Sequence, residues 1–355
     1  MPPLRSLDAS TARAALRRAK LAYTTRRVRL EAVGGILAGE DLRPEPGDVV
    51  LATVTAIGQH ERIELHDGRR ATLFPGDEVV VCFGNRYAPD QFEARVPARL
   101  ELCDLVAAGG VASQMCARHT SMAAPTAIAP VGLLAYGDGR RLNLRDWALP
   151  RAEPQPDRPT TIAVLGTSMN AGKTTSAAHL IYGLASSGSR VAAAKVTGTG
   201  AGGDVWLMHD AGASPVLDFT HAGHVSTAGL EPAEVEDILL CLTADLAASG
   251  AESIVLEIAD GLFQAETAAL VASPRFAEAV DGILFAGSDA LGVALGIQRL
   301  TDLGLPVIGV TGLVTASPLA MREAATATGL PVLDLDALRD PATAGALLTP
   351  QPRKA

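Results

Sequence analysis

The chain has 355 residues, of which 48% are hydrophobic, and a formal net charge of −9 at pH 7. This length predicts two domains, and the acidic balance argues against a protein that binds nucleic acids or membrane surfaces in general. The amino-terminal stretch MPPLRSLDAS lacks the apolar region of a signal peptide, and no run of the sequence is long and apolar enough to span a bilayer. The four cysteines are scattered, which favours buried thiols in a reducing compartment, so we expect a cytoplasmic protein.

Residues 1–150 predict a leading helix followed by a β-rich domain. Residues 1–40 contain many helix-forming side chains, whereas from Val49 onward short runs of strand-like alternation are separated by Gly, Pro and Asp turns. Such runs indicate a small barrel or sandwich. We interpret the basic segment RRAKLAYTTRRVRL, residues 17–30, as the solvated face of a helix rather than as an arm that binds polyphosphate.

A proline-rich linker separates this region from a second domain. The stretch LPRAEPQPDRP contains four prolines and almost no apolar side chains, and we place the linker at residues 151–159. In residues 160–355, short apolar strands alternate with helices, and such strands are buried from both sides in a parallel sheet. The sequence therefore predicts an α/β domain with a mostly parallel sheet and helices on both faces. We expect strands within 161–166, 190–196, 214–219, 253–259, 282–287, 306–312 and 331–335, and helices near 172–187, 232–248, 290–303 and 317–328.

The segment GTSMNAGKT, residues 166–174, joins the first of these strands to a helix. The usual phosphate-binding loop would have its first glycine where this chain has Thr167, and Gly166 lies one position earlier. Backbone N–H groups at a helix start bind phosphate oxygens, the lysine reaches the β- and γ-phosphates, and the hydroxyl after it can ligate Mg²⁺. The segment predicts a nucleotide site formed by Asn170, Ala171, Gly172, Lys173, Thr174 and Thr175.

This loop resembles the GTDTxVGKT loop of the dethiobiotin synthetases and their relatives, which include cobyrinic acid amide synthases and other P-loop enzymes that act on small molecules. The resemblance covers about residues 160–335 and does not extend to the amino-terminal domain. Within it, AAKVTGTGAGGD, residues 193–204, resembles the YKPVxTG segment, whose lysine faces the substrate and the transferred phosphate. The resemblance implies this role for Lys195, with Thr197 and Thr199 as polar neighbours.

A third stretch, IVLEIADG, residues 254–261, resembles the VVEGAGG strand end, whose glutamate helps to bind magnesium. The resemblance implies that Glu257 holds Mg²⁺ together with Thr174. Asp260 stands where the family has small residues, and it could belong to the metal site, act as a base or cap a helix. The Asn-Asp pair with which the family reads the base is absent, as is the Asn-Lys-x-Asp motif of GTPases. We therefore expect ATP as the nucleotide.

Polar side chains and histidines crowd residues 209–230, between the second and third β/α units. Asp218 with His221 could orient a substrate hydroxyl or accept its proton. His221 and His224 are spaced i and i+3, so they could ligate a metal if the segment were helical. Each residue alone is equally explained as a capping or solvated group, but the cluster as a whole favours a substrate site. To that site we assign Thr197, Thr199, Asp204, His221 and His224.

These observations predict a Mg²⁺- and ATP-dependent kinase of a small metabolite, with Lys173, Lys195, Asp218 and Asp260 as catalytic residues. One alternative is a ligase of the dethiobiotin synthetase type, in which the γ-phosphate activates a carboxylate or carbamate. The chain shows no glutamine-hydrolysing domain, which argues against a self-contained amide synthase. A second alternative is a nucleotide-gated metal chaperone or binding protein. The resemblance implies a homodimer, and we expect neither nucleic-acid nor membrane partners.

Overall fold

A computed structural model describes residues 5–7, 9–39, 41–153 and 155–349. Within these ranges the chain forms two compact units. The first unit contains the described residues of 1–148 with the segments 199–203 and 220–229, and the second contains those of 149–198, 204–219 and 230–355. Two segments beyond the predicted linker therefore fold with the amino-terminal unit, a division that the sequence pattern does not show.

The first unit is built on a mostly antiparallel sheet, which has ten strands in the described part of the chain. A separate hairpin pairs Arg62–Glu64 with Arg70–Thr72. The elements in chain order are β1 (Arg5–Leu7), α1 (Ala9–Leu16), β2 (Lys20–Leu21), β3 (Gly35–Ala38), β4 (Val49–Ala56), β5 (Arg62–Glu64), β6 (Arg70–Thr72), β7 (Glu78–Phe83), β8 (Arg86–Tyr87), β9 (Phe92–Arg95), β10 (Cys103–Ala107), β11 (Val111–Arg118) and β12 (Thr126–Ala135).

Part of this sheet closes on itself and confirms the predicted barrel-like domain. β4 pairs with β7 and β12, β7 pairs in parallel with β11, and β10 joins β11 to β12. The central strand β7 is apolar on both faces because each face meets a core. In β7, Val80 and Cys82 pack into one cluster, whereas Val79, Val81 and Phe83 pack into another.

The first 40 residues are much less helical than predicted. In their described part, α1 is the only α-helix, and the rest contains short strands and 3₁₀ turns. The interpretation of residues 17–30 as a solvated helix face is wrong, because β2 pairs with β7 and Tyr23–Thr25 are buried. Tyr23–Thr25 form a buried 3₁₀ turn, and β-branched side chains such as those of the two threonines have low α-helix propensity. Arg26 lies over the Tyr23 ring, 3.9 Å from its centre.

The second unit confirms the predicted α/β domain. Its described residues form a six-stranded sheet in which every pair is parallel, in the order Val216–Asp218, Val191–Lys195, Ser253–Glu257, Thr160–Gly166, Gly282–Ala286 and Val307–Thr311. None of the described helices is long and apolar enough to cross a membrane. The elements are β13 (Thr160–Gly166), α2 (Lys173–Ser186), β14 (Val191–Lys195), α3 (Gly203–Asp210), β15 (Val216–Asp218), α4 (Pro232–Ala248), β16 (Ser253–Glu257), α5 (Ala265–Val271), α6 (Pro274–Ala279), β17 (Gly282–Ala286), α7 (Ala290–Asp302), β18 (Val307–Thr311), α8 (Pro318–Thr328), α9 (Leu335–Arg339) and α10 (Pro341–Leu347).

Helices cover both faces of this parallel sheet. On one face Val164 of β13 packs in a cluster with Leu180 of α2. The next residue, Leu165, points to the other face and is in register with Phe285 of β17. There Gly296 of α7 lies directly against the Phe285 ring. The strands therefore read as continuous apolar runs because neither face is exposed to water.

The seventh strand predicted for this sheet, residues 331–335, is absent from the described structure. Only Val332 pairs, through a single bridge to Val310. Pro331 has no N–H to donate to a ladder, and Asp334 accepts a hydrogen bond from Ala337 N at 2.8 Å and so caps α9. The start of a helix therefore ends the strand after one bridge.

Candidate functional site

Three charged residues occupy one rung at the carboxyl edge of the parallel sheet. Lys195 of β14 is in register with Asp218 of β15 and with Glu257 of β16. Residues on one rung of a parallel sheet point to the same face, so these side chains are neighbours. Asp218 is 1% exposed and Glu257 is 2% exposed. Sheets of this type bind ligands at their carboxyl edge.

The phosphate-binding loop predicted from the sequence ends at the same edge. β13 stops at Gly166, and α2 begins at Lys173 after Gly172, whose φ of 95° is left-handed. Asn170 also has a positive φ, 62°. The first N–H groups of a helix find no acceptor inside it, so this arrangement brings donors suited to phosphate oxygens to the loop. The second unit therefore has the fold of a P-loop NTPase.

Lys173 turns back into this loop. Its Nζ donates a hydrogen bond to the Ser168 carbonyl at 2.7 Å and another to the carbonyl of Asp260, and the side chain is buried. Burial lowers the pKa of Lys173, and the carboxylates of Glu257 and Asp260 partly offset that effect. The ammonium is thus held at the loop by carbonyl oxygens, which phosphate oxygens can replace as acceptors.

Thr174 and Glu257 meet beside the start of α2. Thr174 Oγ1 donates to Glu257 Oε1 at 2.8 Å, whereas Oε2 accepts no hydrogen bond from the described residues. Burial raises the pKa of Glu257, as does Asp204, and Lys195 and Lys173 act in the opposite direction. A buried carboxylate oxygen without a donor is unfavourable in a folded protein. The pair fits Mg²⁺, which binds carboxylate oxygens and, in P-loop proteins, the hydroxyl after the lysine.

Two of the predicted substrate residues lie near Lys195 in the second unit. Asp204, in the first turn of α3, forms a salt bridge with Lys195. Burial would lower the pKa of Lys195, but Asp204 and then Glu257 outweigh burial, so the pKa lies above its ordinary value. Thr197 is buried and donates to the carbonyl of Ala259. The structure therefore brings Lys195, Asp204 and Glu257 together.

Other predicted site residues are placed around the same loop. Ala171 is buried, and Thr175 is exposed on the first turn of α2. Asp260 follows β16, and its carbonyl is an acceptor of Lys173. Asp260 does not cap the helix that follows, because Gln264 caps α5. Of the three roles considered for Asp260, the helix cap is wrong, and the metal and base roles stay predictions.

The remaining substrate residues, Thr199, His221 and His224, belong to the first unit. Thr199 forms an isolated bridge with Ser226, and His221 Nδ1 lies 3.3 Å from Nη2 of Arg26. The segment that holds the two histidines contains no helix, so the helical metal-binding pair considered from the sequence does not form. Among the described residues no three His, Cys, Asp or Glu side chains are grouped to hold a metal ion. The predicted substrate set is therefore divided between two units.

Sequence reasoning missed two features of this edge. The carbonyls of Ser168 and Asp260 accept hydrogen bonds from Lys173, and main-chain acceptors leave no signal in residue identity. The close approach of the Lys195 side chain to Gly198 was also missed. The glycine-rich run GTGAGG after β14 was the available signal, because such a run permits close approach of another group to the backbone.

The chain matches no protein-family model and no curated protein. Among solved structures, the 54 kDa protein of the signal recognition particle from Aeropyrum pernix K1, in complex with GDP, is 20% identical over 53% of this chain and 45% of its own, with a TM-score of 0.38. The signal recognition particle receptor FtsY from Elizabethkingia anophelis, also with GDP, is 13% identical over 57% and 68% of the two chains, with a TM-score of 0.37. A DUF1611 family protein from Anabaena variabilis is 13% identical over 58% and 63%, with a TM-score of 0.40. This chain spans less than two thirds of the first and third of these proteins.

Proposed function

We propose that this protein is a Mg²⁺- and ATP-dependent enzyme that transfers a phosphoryl group to a hydroxyl of a small molecule. The observation that carries the proposal is Oε2 of the buried Glu257, to which no described residue donates, beside the hydroxyl of Thr174 at the phosphate loop. A carboxylate with only a structural role is expected to have both oxygens satisfied. A metal site accounts for both the burial and the open oxygen.

Phosphoryl transfer asks a protein mainly to position its substrates and to balance their charge. Lys173 would contact the β- and γ-phosphates. Lys195 ends β14, which lies two strands away from β13 in the sheet, and it would contact the transferred group. Mg²⁺, held by Thr174 and Glu257, would neutralise phosphate charge. Asp218 supports a kinase, because a buried carboxylate on the Lys195 rung can accept the proton of an attacking hydroxyl.

The segment after β18 supports ATP rather than GTP. Residues 312–317, GLVTAS, contain no carboxylate, and Leu313 N donates to the Ala171 carbonyl at 3.1 Å, so this segment adjoins the phosphate loop. Guanine is recognised through N–H donors that an acidic side chain accepts, as in the GTPase motif that this chain lacks. A neutral segment suits adenine better.

A binding measurement tests the nucleotide site. We expect a non-hydrolysable ATP analogue to bind the purified chain in calorimetric titrations, and to bind more tightly when Mg²⁺ is present. Lys173→Ala should abolish this binding because it removes the buried ammonium from the loop. Lys20→Ala is the matched control, since that lysine pairs with Asp77 in the first unit. Failure of the wild-type chain to bind the analogue would refute the proposed function.

A metabolite screen then tests the reaction. Metabolite pools are incubated with the chain, ATP and Mg²⁺, and mass spectrometry detects products heavier by one phosphoryl group. Products that persist with Lys173→Ala do not arise at this site. Products that join two substrates without retaining phosphate would favour the ligase instead. Bound zinc or nickel in stoichiometric amount, with hydrolysis that no small molecule changes, would favour the metal chaperone.

A further inference from the structure

Lys195 and Asp204 form a side-chain pair at the end of β14, and what we infer from this pair rests on the proposed function. Lys195, the last residue of β14, forms a salt bridge with Asp204 of α3, nine residues later. The two side chains are 12% and 31% exposed. Freely exposed ion pairs contribute little because water and salt screen them, whereas a shielded charge-assisted hydrogen bond fixes both groups. Asp204 therefore determines where this ammonium points.

The aliphatic part of Lys195 crosses Gly198. A Cβ at residue 198 would lie 2.8 Å from Lys195 Cε, 3.4 Å from Nζ and 3.5 Å from Phe219 Cε1. The φ of Gly198 is 142°, a conformation that residues with side chains rarely adopt. The glycine therefore supplies both the turn after β14 and the space through which the lysine reaches Asp204.

Other charged groups compete for the same ammonium. Glu257 is in register with Lys195 on one neighbouring strand, and Asp218 is in register with it on the other. Asp260 also attracts the Lys195 ammonium, whereas the Lys173 ammonium repels it. Pairing of Lys195 with Glu257 would occupy the carboxylate whose Oε2 lacks a donor among the described residues. That pairing would remove the oxygen on which the proposed metal site depends.

We propose that Asp204 is a positioning residue, which holds Lys195 over Gly198 for the transferred phosphoryl group and keeps it from Glu257. Without Asp204, the ammonium is expected to move to the Glu257 carboxylate. Nucleotide affinity in the absence of metal then changes little because Lys173 and the phosphate loop are intact. Turnover falls because the lysine is misplaced, and metal affinity falls because its carboxylate is engaged.

The test compares Asp204→Asn with Asp210→Asn, a matched control at the exposed last residue of the same helix. We expect Asp204→Asn to lower kcat for ATP turnover roughly 10- to 100-fold, with KM for ATP at saturating Mg²⁺ unchanged within about twofold. Binding of Mn²⁺ in the presence of an ATP analogue, measured by electron spin resonance, should weaken as well. Asp204→Glu should restore most of both properties, and Asp210→Asn should match the wild type.

Wild-type kcat and Mn²⁺ affinity in Asp204→Asn would overturn the proposal. A double variant separates positioning from misfolding: with Lys195→Met already present, Asp204→Asn should cause no further loss, and an undiminished second loss would also overturn it. If the wild-type chain binds no ATP analogue, the proposed function fails instead. A crystal structure of Asp204→Asn then decides the positioning role, because Lys195 should have left Gly198, and a lysine still in place there refutes the inference.

Discussion

Lys173 crosses Gly166 so closely that residue 166 has no room for a side chain. A Cβ there would lie 2.9 Å from Lys173 Cγ, 3.1 Å from Cδ and 2.8 Å from the carbonyl oxygen of Ala286. This contact explains the displaced first glycine of the loop. The position that must be glycine is the one that the lysine crosses, and in this chain it is residue 166 rather than Thr167.

We expect Gly166→Ala to weaken binding of an ATP analogue about tenfold or more, equivalent to roughly 1.4 kcal/mol. The added methyl group cannot remain 2.9 Å from Lys173 Cγ, so the lysine must shift away from the carbonyls that hold it. Calorimetric titration measures the change. Loss of one charge-assisted hydrogen bond accounts for an effect of this size.

The control for this variant is Gly345→Ala in α10. A Cβ at residue 345 has no heavy atom within 4 Å, and alanine favours a helix over glycine by up to about 1 kcal/mol. We expect unchanged affinity and an equal or higher melting temperature. Wild-type affinity in Gly166→Ala would show that the Gly166 contact does not place the lysine.

We expect Glu257→Gln to abolish the effect of Mg²⁺ on nucleotide affinity while raising stability in the absence of metal. Burial raises the pKa of Glu257, so the folded state disfavours the ionised carboxylate. The free energy of unfolding therefore falls as the pH rises from the pKa that Glu257 has in the unfolded chain through the pKa that it has in the folded protein. At pH 7 a neutral glutamine avoids the cost of burying an ionised carboxylate, and its side-chain oxygen can still accept a hydrogen bond from Thr174. Titration with and without Mg²⁺ and thermal unfolding in a chelator measure the two effects.

Glu252→Gln provides the comparison, because Glu252 is exposed just before β16 and pairs with Arg190. In this variant, both the effect of Mg²⁺ on nucleotide affinity and the melting temperature in the presence of chelator should stay near those of the wild type. If Glu257→Gln keeps the full Mg²⁺ effect, the metal is held elsewhere. If it melts at a lower temperature in chelator, Glu257 is a structural group.

The fold of the second unit was predictable because its strands are buried on both faces. β17, GILFA, is apolar throughout, and its residues reach the α2 side and the α7 side alternately. The pattern failed at residues 331–335, where four apolar or small residues resemble a strand. Pro331 and the cap formed by Asp334 limit pairing there to one bridge, so local turn chemistry prevailed over hydrophobicity.

The division of the chain was less predictable because it depends on packing between distant residues. Val225 is buried in the core of the first unit, and its carbonyl accepts a hydrogen bond from Gly200. Gly202 N donates to Glu64 at 2.9 Å. Neither contact has a local signature. For the same reason, motifs indicated Lys173, Thr174 and Glu257, whereas the pairing of Lys195 with Asp204 required the structure.

The first unit should lose stability as pH falls from 6.5 towards 4. Burial, reinforced by Arg86, lowers the pKa of His60 from 6.5 to about 4. The folded state keeps this ring neutral, whereas the unfolded chain takes up a proton below pH 6.5, so acid favours unfolding by up to about 3 kcal/mol. His66 shifts in the same direction, also mainly through burial.

His60→Asn should flatten this pH dependence, because asparagine cannot take up a proton but can donate to the Leu105 carbonyl, 3.1 Å from His60 Nδ1. Absolute stability at pH 7 should fall, since the ring also packs against Phe92. Urea unfolding between pH 4 and pH 7.5 measures both effects. Fluorescence of Trp147, recorded in a Trp206→Phe background, reports on the first unit. His119 is exposed, so His119→Gln should leave the dependence of the free energy of unfolding on pH as in the wild type. If His60→Asn also keeps the full wild-type dependence, groups other than His60 cause the acid sensitivity.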